Sequence, residues 1–394
     1  MKAVQISVAY MPLVDAAPLI VAQEMGFAAA EGIALDLIAA PSWSSVRDML
    51  AFGRVDAAHM LSPVPLAMAM GLGGVSSAIS AVSVLSVNGN VIGVGNALEA
   101  KLHDAGYAFD FADPYAAADA LAGISDGPIT FGVPFPFSMH VELLRYWADA
   151  TSLGTHGINI RTVPPPLMAQ ALAAGEVDAF CVGEPWGSVA VESEAGALLL
   201  PGNAIWAFAP EKVLAVRTDW AETEPSLLGR LMRAVWKAGR WLSDPAVRAT
   251  ASGLLSRTAY LDVSAELIDR ALSGHLILSR RGETRQVERF LEFHDGAATF
   301  PWRSQGQWIA QRLQRTYGGA GLSDAQFDQV IRPDLHRQHL TKVGYDLPGA
   351  SAKLEGAILS PTPVASASGE ITLQPDRFFD GQIFDPDTRN TIKN

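Results

Sequence analysis

Leu50-Ala51-Phe52-Gly53-Arg54-Val55-Asp56-Ala57-Ala58 has an echo about 120 residues further on, at Leu172-Ala173-Ala174-Gly175-Glu176-Val177-Asp178-Ala179-Phe180. Each copy reads as a helix end, a glycine stop, an acidic turn residue and the start of a buried strand. Each also runs into a loop of polar residues and proline: His59-Met60-Leu61-Ser62-Pro63 after the first, Gly183-Glu184-Pro185-Trp186 after the second. A chance match is the weaker reading, because glycine is a common helix terminator but the loops that follow also agree. Two such units predict two lobes built on one α/β plan. In open α/β sheets the ligand crevice lies outside the carboxyl ends of the strands, where these loops fall.

Working outward from the first copy, Val4–Val8 is strand-like and Ala16–Glu24 reads as an amphipathic helix ending at Gly26. Ile33–Ile38 reads as a strand, and Ser44–Phe52 as a helix with Ser42 ready as its N-cap. This alternation predicts mainly parallel sheets covered by helices. Around the second copy, the Ile129–Val133 strand leads into Pro134-Phe135-Pro136-Phe137-Ser138-Met139-His140 and a helix over Val141–Ala150. Val163-Pro164-Pro165-Pro166 then fixes a rigid entry into a helix over Leu167–Ala174. The chain is expected to return to the first lobe from Glu211, through the strand-like Val213–Val216. Residues 218–345 read as mostly helical, with Leu227–Leu242 and Ala265–Ala271 the clearest spans. The expected division is therefore lobe 1 from 1–90 and 207–345, lobe 2 from 91–206, and an extended tail over 346–394 packed on the surface.

A length of 394 residues suits two domains of ordinary size, and 49% apolar residues with 18% charged ones describe a well-buried protein. The net charge of −12 argues against direct nucleic-acid binding, since backbone phosphates would be repelled. Met1 to Tyr10 alternates apolar and polar residues, which reads as a strand rather than a secretory leader. No apolar run approaches the ~20 residues of a membrane-spanning helix, and the single cysteine, Cys181, can form no internal disulfide. Read as it stands the chain is expected to be cytoplasmic without membrane insertion, or periplasmic if a leader has been removed.

The segments predicted at strand ends offer hydrogen-bond donors. Trp43, on the loop opening a helix, has one donor and a flat face; packing on the interlobe surface accounts for it equally well. Asn90, in Asn88-Gly89-Asn90, can donate an amide, although a tight Asn-Gly turn is the simpler account. His140 stands at a helix start. Lys212 precedes a strand and can place a full positive charge there. Gly89, Ser62, Pro185 and Glu184 are the further cleft candidates. His336 and His339 have a spacing compatible with a metal, but with no cysteine nearby an exposed helix face is the better reading, and no metal is expected. There is no Walker-type phosphate loop and no Gly-x-Ser-x-Gly elbow. The candidate loops lack a paired acid and base, apart from Glu184 and His140, so neither catalysis nor a cofactor is expected. Cys181 reads as an inert core thiol.

At these segments the chain resembles the nitrate- and bicarbonate-binding proteins of bacterial ABC importers. The matching stretches include Asp15-Ala16-Ala17-Pro18-Leu19, Pro41-Ser42-Trp43, Asp56-Ala57-Ala58-His59 and Asn88-Gly89-Asn90. They continue with His140, Leu144-Arg145-Tyr146-Trp147, Val163-Pro164-Pro165-Pro166 and Cys181-Val182-Gly183-Glu184-Pro185-Trp186. Pro210-Glu211-Lys212, Phe300-Pro301-Trp302 and Phe378-Phe379-Asp380-Gly381 complete the set. The resemblance implies an α/β, type II periplasmic-binding fold: two Rossmann-like lobes, a hinge and a ligand cleft between them. It implies a nitrate or nitrite ion held by Trp43, His140 and Lys212, with Asn90 where the importer proteins usually carry glutamine. Lys212 favours nitrate or nitrite over bicarbonate, whose binders replace this charge with an acid and a metal. Without a leader or a lipid cysteine, the chain looks most similar to the cytoplasmic nitrate/nitrite sensors of the NasS branch. These control nitrate assimilation by sequestering an ANTAR-type RNA-binding antiterminator, and an acidic body suits such a basic partner. The alternative the resemblance leaves is the solute-binding subunit of an importer.

Overall fold

The computed structural model describes residues 3–388, so Met1, Lys2 and the end of the expected tail from 389 lie outside the described residues. The strands that position the site are β1 (Val4–Tyr10), β2 (Ile33–Ala39), β3 (Ala57–Leu61) and β4 (Ile79–Asn88), followed by β5 (Asn90–Gly95) and β6 (Ile129–Val133). Then come β7 (Ile158–Thr162), β8 (Ala179–Gly183), β9 (Gly196–Pro201) and β10 (Pro210–Arg217). They form two separate sheets. The first runs β2-β1-β3-β10-β4, with the two-residue strand Leu291–Glu292 at its edge, and the second runs β7-β6-β8-β5-β9.

The two sheets share one plan. In each, the second strand pairs in parallel with both of its neighbours, β1 with β2 and β3, and β6 with β7 and β8. The fourth strand of each then runs antiparallel, β10 against β3 and β5 against β8. Sequence alternation predicted mainly parallel sheets; the sheets are mixed because β5 and β10 are the strands that begin just after the chain has crossed over from the other sheet. The crossings are short: Gly89 alone separates β4 from β5, and residues 202–209 separate β9 from β10.

The sequence echo corresponds to an identical local structure. Gly53 and Gly175 both hold left-handed backbones, φ +68° and +67°. Each closes its helix with the same pair of bonds, Gly53 N–H to Leu50 O (3.1 Å) with Arg54 N–H to Met49 O (2.8 Å), and Gly175 N–H to Leu172 O (3.0 Å) with Glu176 N–H to Ala171 O (2.9 Å). That double bond pattern satisfies the orphan carbonyls of a helix end. The acidic residue three places on reaches across to the second strand of its sheet: Asp56 Oδ2 accepts Ser7 N–H at 2.8 Å, and Asp178 Oδ2 accepts Thr130 N–H at 2.9 Å. Each carboxylate supplies one extra rung of the sheet before β3 or β8 begins.

Elsewhere the helices follow their patterns. The Trp43–Ala51 helix is capped by Ser42, whose Oγ accepts Ser45 N–H at 3.2 Å. The Met139–Asp149 helix is capped by Ser138, whose Oγ accepts Val141 N–H at 3.3 Å. Pro225–Leu242, Ala265–Ser273 and Arg303–Tyr317 are the longest helices of the stretch 218–345. His336 departs from the reading of an exposed face: it is fully buried, with Nδ1 3.1 Å from Val82 O, because the Pro333–Leu340 helix packs that side on β4. The tail is tied to the second crossing, where Ala207 N–H donates to Arg377 O (3.0 Å) and Phe379 N–H to Ile205 O (2.9 Å). Phe378 stacks on Trp206 with ring centroids 4.8 Å apart. No helix among the described residues is long and apolar enough to cross a membrane.

Candidate functional site

The antiparallel strands that follow the crossings both begin where the parallel strands end. Lys212, near the start of β10, pairs with Leu61 at the carboxyl end of β3. Asn90, the first residue of β5, pairs with Gly183 at the carboxyl end of β8. Their side chains meet between the sheets, together with residues from the Trp43–Ala51 and Met139–Asp149 helix starts. The four principal candidates from sequence, Trp43, Asn90, His140 and Lys212, are thereby brought together and buried, none more than 2% exposed.

Lys212 is the centre. It is fully buried, and its Nζ lies 5.4 Å from the Trp43 ring centroid, within cation–π range. It also lies 2.7 Å from Asp15 Oδ2 and 2.6 Å from Glu211 Oε1. Glu211 Oε2 accepts Asn90 Nδ2–H at 2.6 Å, and Glu211 Oε1 is 3.5 Å from His140 Nδ1. Asp15 Oδ1 stands 3.0 Å from His59 Nε2, and the His59 ring packs 5.4 Å from that of Trp43. Two acids, Asp15 and Glu211, therefore face the ammonium.

The charges within the cluster follow from burial and these neighbours. Burial alone would raise Asp15, but Lys212 and His59 outweigh it and hold the acid at about 2. Burial opposes a charge on Lys212, yet Asp15 and Glu211 keep its ammonium above the ordinary lysine value. Glu211 is pushed up by burial, and Lys212 and Asn90 only partly reverse this. His140 is driven well below the ordinary histidine value by burial and by Lys212, and His59 is lowered by burial against the pull of Asp15. At neutral pH the cluster presents one ammonium, one firmly ionised Asp15 and two neutral imidazoles.

Several buried donors here lack a hydrogen-bond partner among the described residues: Trp43 Nε1, the single N–H of the neutral His140 ring, neither of whose nitrogens is partnered, and Ser62 Oγ. Buried polar groups in proteins are nearly always satisfied. Donors gathered beside an ammonium, with no partner of their own, suit a small anion that only accepts hydrogen bonds.

The remaining cleft candidates shape the walls. Gly89 has φ +90°, and with Asn88 (φ +62°) it makes the turn that the Asn-Gly reading foresaw, while still delivering Asn90 into the cluster. Ser62 donates its N–H to Glu211 O at 3.1 Å. Glu184 donates N–H to Gly89 O (3.1 Å) and accepts Val14 N–H at its carbonyl (2.9 Å), tying the β8 loop to the β1 loop. Its carboxyl accepts Ser188 N–H at 3.1 Å rather than joining the Lys212 cluster, and burial raises it to about 7. Pro185 follows it through a cis peptide. Cys181 is buried on β8, and burial raises its thiol well above the ordinary value.

Four residues of the matching stretches were not among the candidates the sequence put forward for the site. Asp15 and His59 anchor Lys212 and Trp43, Glu211 bridges Lys212 to Asn90, and Trp186 Nε1 donates to Pro12 O at 2.9 Å, across from the β8 loop to the β1 loop. The signal for Asp15 was present: it follows β1, whose carboxyl end obeys the same strand-end rule that singled out the loops after β3 and β8.

Two α/β lobes with mixed sheets, short crossings and a polar cluster at facing strand ends constitute the type II binding-protein fold. Residues 1–256 match the NMT1-like family, and the chain belongs to it. It is 28% identical over 394 residues to the nitrate/nitrite binding protein NrtA of Synechococcus elongatus, covering 97% of this chain and 84% of that one. It is 36% identical over 407 residues to the bicarbonate transport ATP-binding protein CmpC of Synechocystis sp., covering 98% of this chain but 54% of that one. The chain likewise spans about half, 52%, of the nitrate import ATP-binding protein NrtC from the same organism. The crystal structure of the periplasmic nitrate-binding protein NrtA from Synechocystis PCC 6803 superposes with a TM-score of 0.81 at 26% identity, covering 98% of this chain and 96% of that one. The proteins this chain resembles are thus named for binding and import, not for catalysis.

Proposed function

We propose that this chain binds nitrate or nitrite between its lobes, at Trp43, Asn90, His140 and Lys212, and delivers the ion as the solute-binding component of an importer. The observation that carries the reading is Lys212: alone among the described lysines it is fully buried, and it stands beside a tryptophan and a histidine whose N–H groups have no partner. The names of NrtA, NrtC and CmpC favour the importer over a cytoplasmic sensor that sequesters an ANTAR-type antiterminator. Four charge-assisted hydrogen bonds at ~1.5–3 kcal/mol each, less an association cost of at least ~4 kcal/mol, correspond to affinities between millimolar and about micromolar. Retention of Lys212 supports nitrate or nitrite ahead of bicarbonate.

Titration of the purified protein with nitrate, nitrite and bicarbonate, read by tryptophan fluorescence, tests the ligand. Saturable quenching by nitrate or nitrite is expected; a response to bicarbonate alone, or to none of the three, rejects the reading. Fractionation of cells expressing the untagged native protein separates importer from sensor, a periplasmic location being required by the first.

A further inference from the structure

Glu211 already occupies the position an oxyanion would want. Its flat carboxylate takes the Asn90 amide at 2.6 Å and the Lys212 ammonium at 2.6 Å, and stands 3.5 Å from His140 Nδ1. Nitrate has the same shape and the same appetite for donors, and two ionised oxyanions would repel across one ammonium in a buried site. Asp15, 2.7 Å from the same ammonium, already supplies its counter-charge. We infer that nitrate enters together with a proton, and that the carboxyl of Glu211 receives it. This rests on the reading of the cluster as a nitrate site and adds to it a regulation: affinity set by pH through one residue.

The proton comes from solvent and converts Glu211 from acceptor to donor, so the Glu211–COOH can hydrogen-bond the ion it would otherwise exclude. No bond other than O–H is formed. The groups facing Glu211 are Lys212 on its own strand, Asp15 from the loop after β1, His140 from the Met139–Asp149 helix and the Cys181 thiol on β8; His59 stands behind Asp15. Asp15 is held ionised by two cationic or imidazole neighbours, Cys181 keeps its proton, and Lys212 is charged throughout. His140 is the rival acceptor, since it is buried neutral beside the same site. Glu211 is the better one, being already raised by burial and freed for protonation when the ion replaces it on the donors.

Calorimetry with sodium nitrate in Tris and in triethanolamine, cationic buffers of different ionisation enthalpy, counts the protons. Close to one proton taken up per nitrate is expected on the alkaline side, with Kd rising up to tenfold per pH unit there; nitrate does not titrate, so the slope belongs to the protein. In Glu211→Gln the uptake and the slope should vanish. Should that variant not fold, difference infrared spectra of the unmodified protein decide, a protonated-carboxyl C=O band growing in as nitrate is added. Nitrate binding with flat Kd and no proton exchange overturns the inference while leaving the nitrate reading intact. Uptake that persists in Glu211→Gln assigns the proton to His140 and overturns it as well. Absence of nitrate binding at every pH removes both.

Discussion

Glu211 and Lys212 are consecutive residues of one strand, yet Glu211 Oε1 and Lys212 Nζ lie 2.6 Å apart. In a regular strand, neighbours project to opposite faces of the sheet. Here the register of β10 against β4 slips on both sides of Lys212, between Pro210 and Lys212 and again between Lys212 and Val213. Irregularities of this kind re-aim side chains and gather next to functional sites. The slip lets an acid and a base from adjacent positions both reach the space between the lobes, and it makes the electrostatics of the site a matter of backbone geometry as much as of composition.

Lys212→Ala should weaken nitrate binding by about 2 kcal/mol or more, roughly 30-fold, as for loss of a charged hydrogen-bond partner. It also leaves Asp15 and Glu211 buried without their shared cation, so unfolding free energy should fall by about 3–5 kcal/mol. Calorimetry on the folded variant reads the first effect and urea unfolding the second; an unaltered Kd removes Lys212 from the site.

Trp43 was open to two readings, a donor to the ligand or a ring packed between lobes. Trp43→Phe separates them, because it keeps an aromatic face and deletes Nε1–H. If the indole donates to the ion, affinity drops by about 1.5–3 kcal/mol while the urea midpoint barely moves, the Nε1 atom having no protein partner to lose. A shifted midpoint with unchanged affinity would favour packing alone.

What could be read from the sequence was whatever leaves a local trace. The helix stops at Gly53 and Gly175, the caps at Ser42 and Ser138, and the donor set of Trp43, Asn90, His140 and Lys212 all follow from residue type and spacing. Glu211 did not, because strand alternation puts it on the face opposite Lys212 and nothing in Pro210-Glu211-Lys212 announces a register slip. His59 was hidden for a related reason: on β3, whose five residues are all buried, alternation carries no information about which face meets the site. The burial of His336 depends on the Pro333–Leu340 helix docking on β4, with Val82 254 residues away in the chain, which is a tertiary choice that its i,i+3 partner His339 does not reveal.

The repeated acidic residue invites a comparison between copies. Asp56 accepts both Ser7 N–H and Ser7 Oγ–H at 2.8 Å and is half-buried, whereas exposed Asp178 accepts, among the described residues, only Thr130 N–H. Asp56→Ala should therefore destabilise by about 2 kcal/mol and Asp178→Ala by about 1 kcal/mol. Chemical denaturation of the two variants checks the order; a larger loss at Asp178 would show that the rung each carboxylate adds to its sheet is not what these residues contribute.

Glu184 gives a pH prediction whose sign is opposite to that of a salt-bridged acid. Burial raises its carboxyl to about 7 from an ordinary 4.5, and the bonds from Ser188 offset only part of that. A carboxyl held up in this way binds its proton more tightly in the folded chain than in the unfolded one. Its contribution to stability is complete below pH 4.5 and is lost as the pH rises through about 7. Glu184→Gln imitates the neutral acid and keeps an oxygen for Ser188 N–H, so it should match the parent near pH 4 and exceed it at pH 8 by about 3 kcal/mol. Paired urea titrations at the two pH values isolate this group, since every other titrating residue is common to both proteins. A stability difference that is the same at both would mean that Glu184 ionises in the folded chain as freely as in the unfolded one, and that the loop it ties between β8 and β1 is open to water.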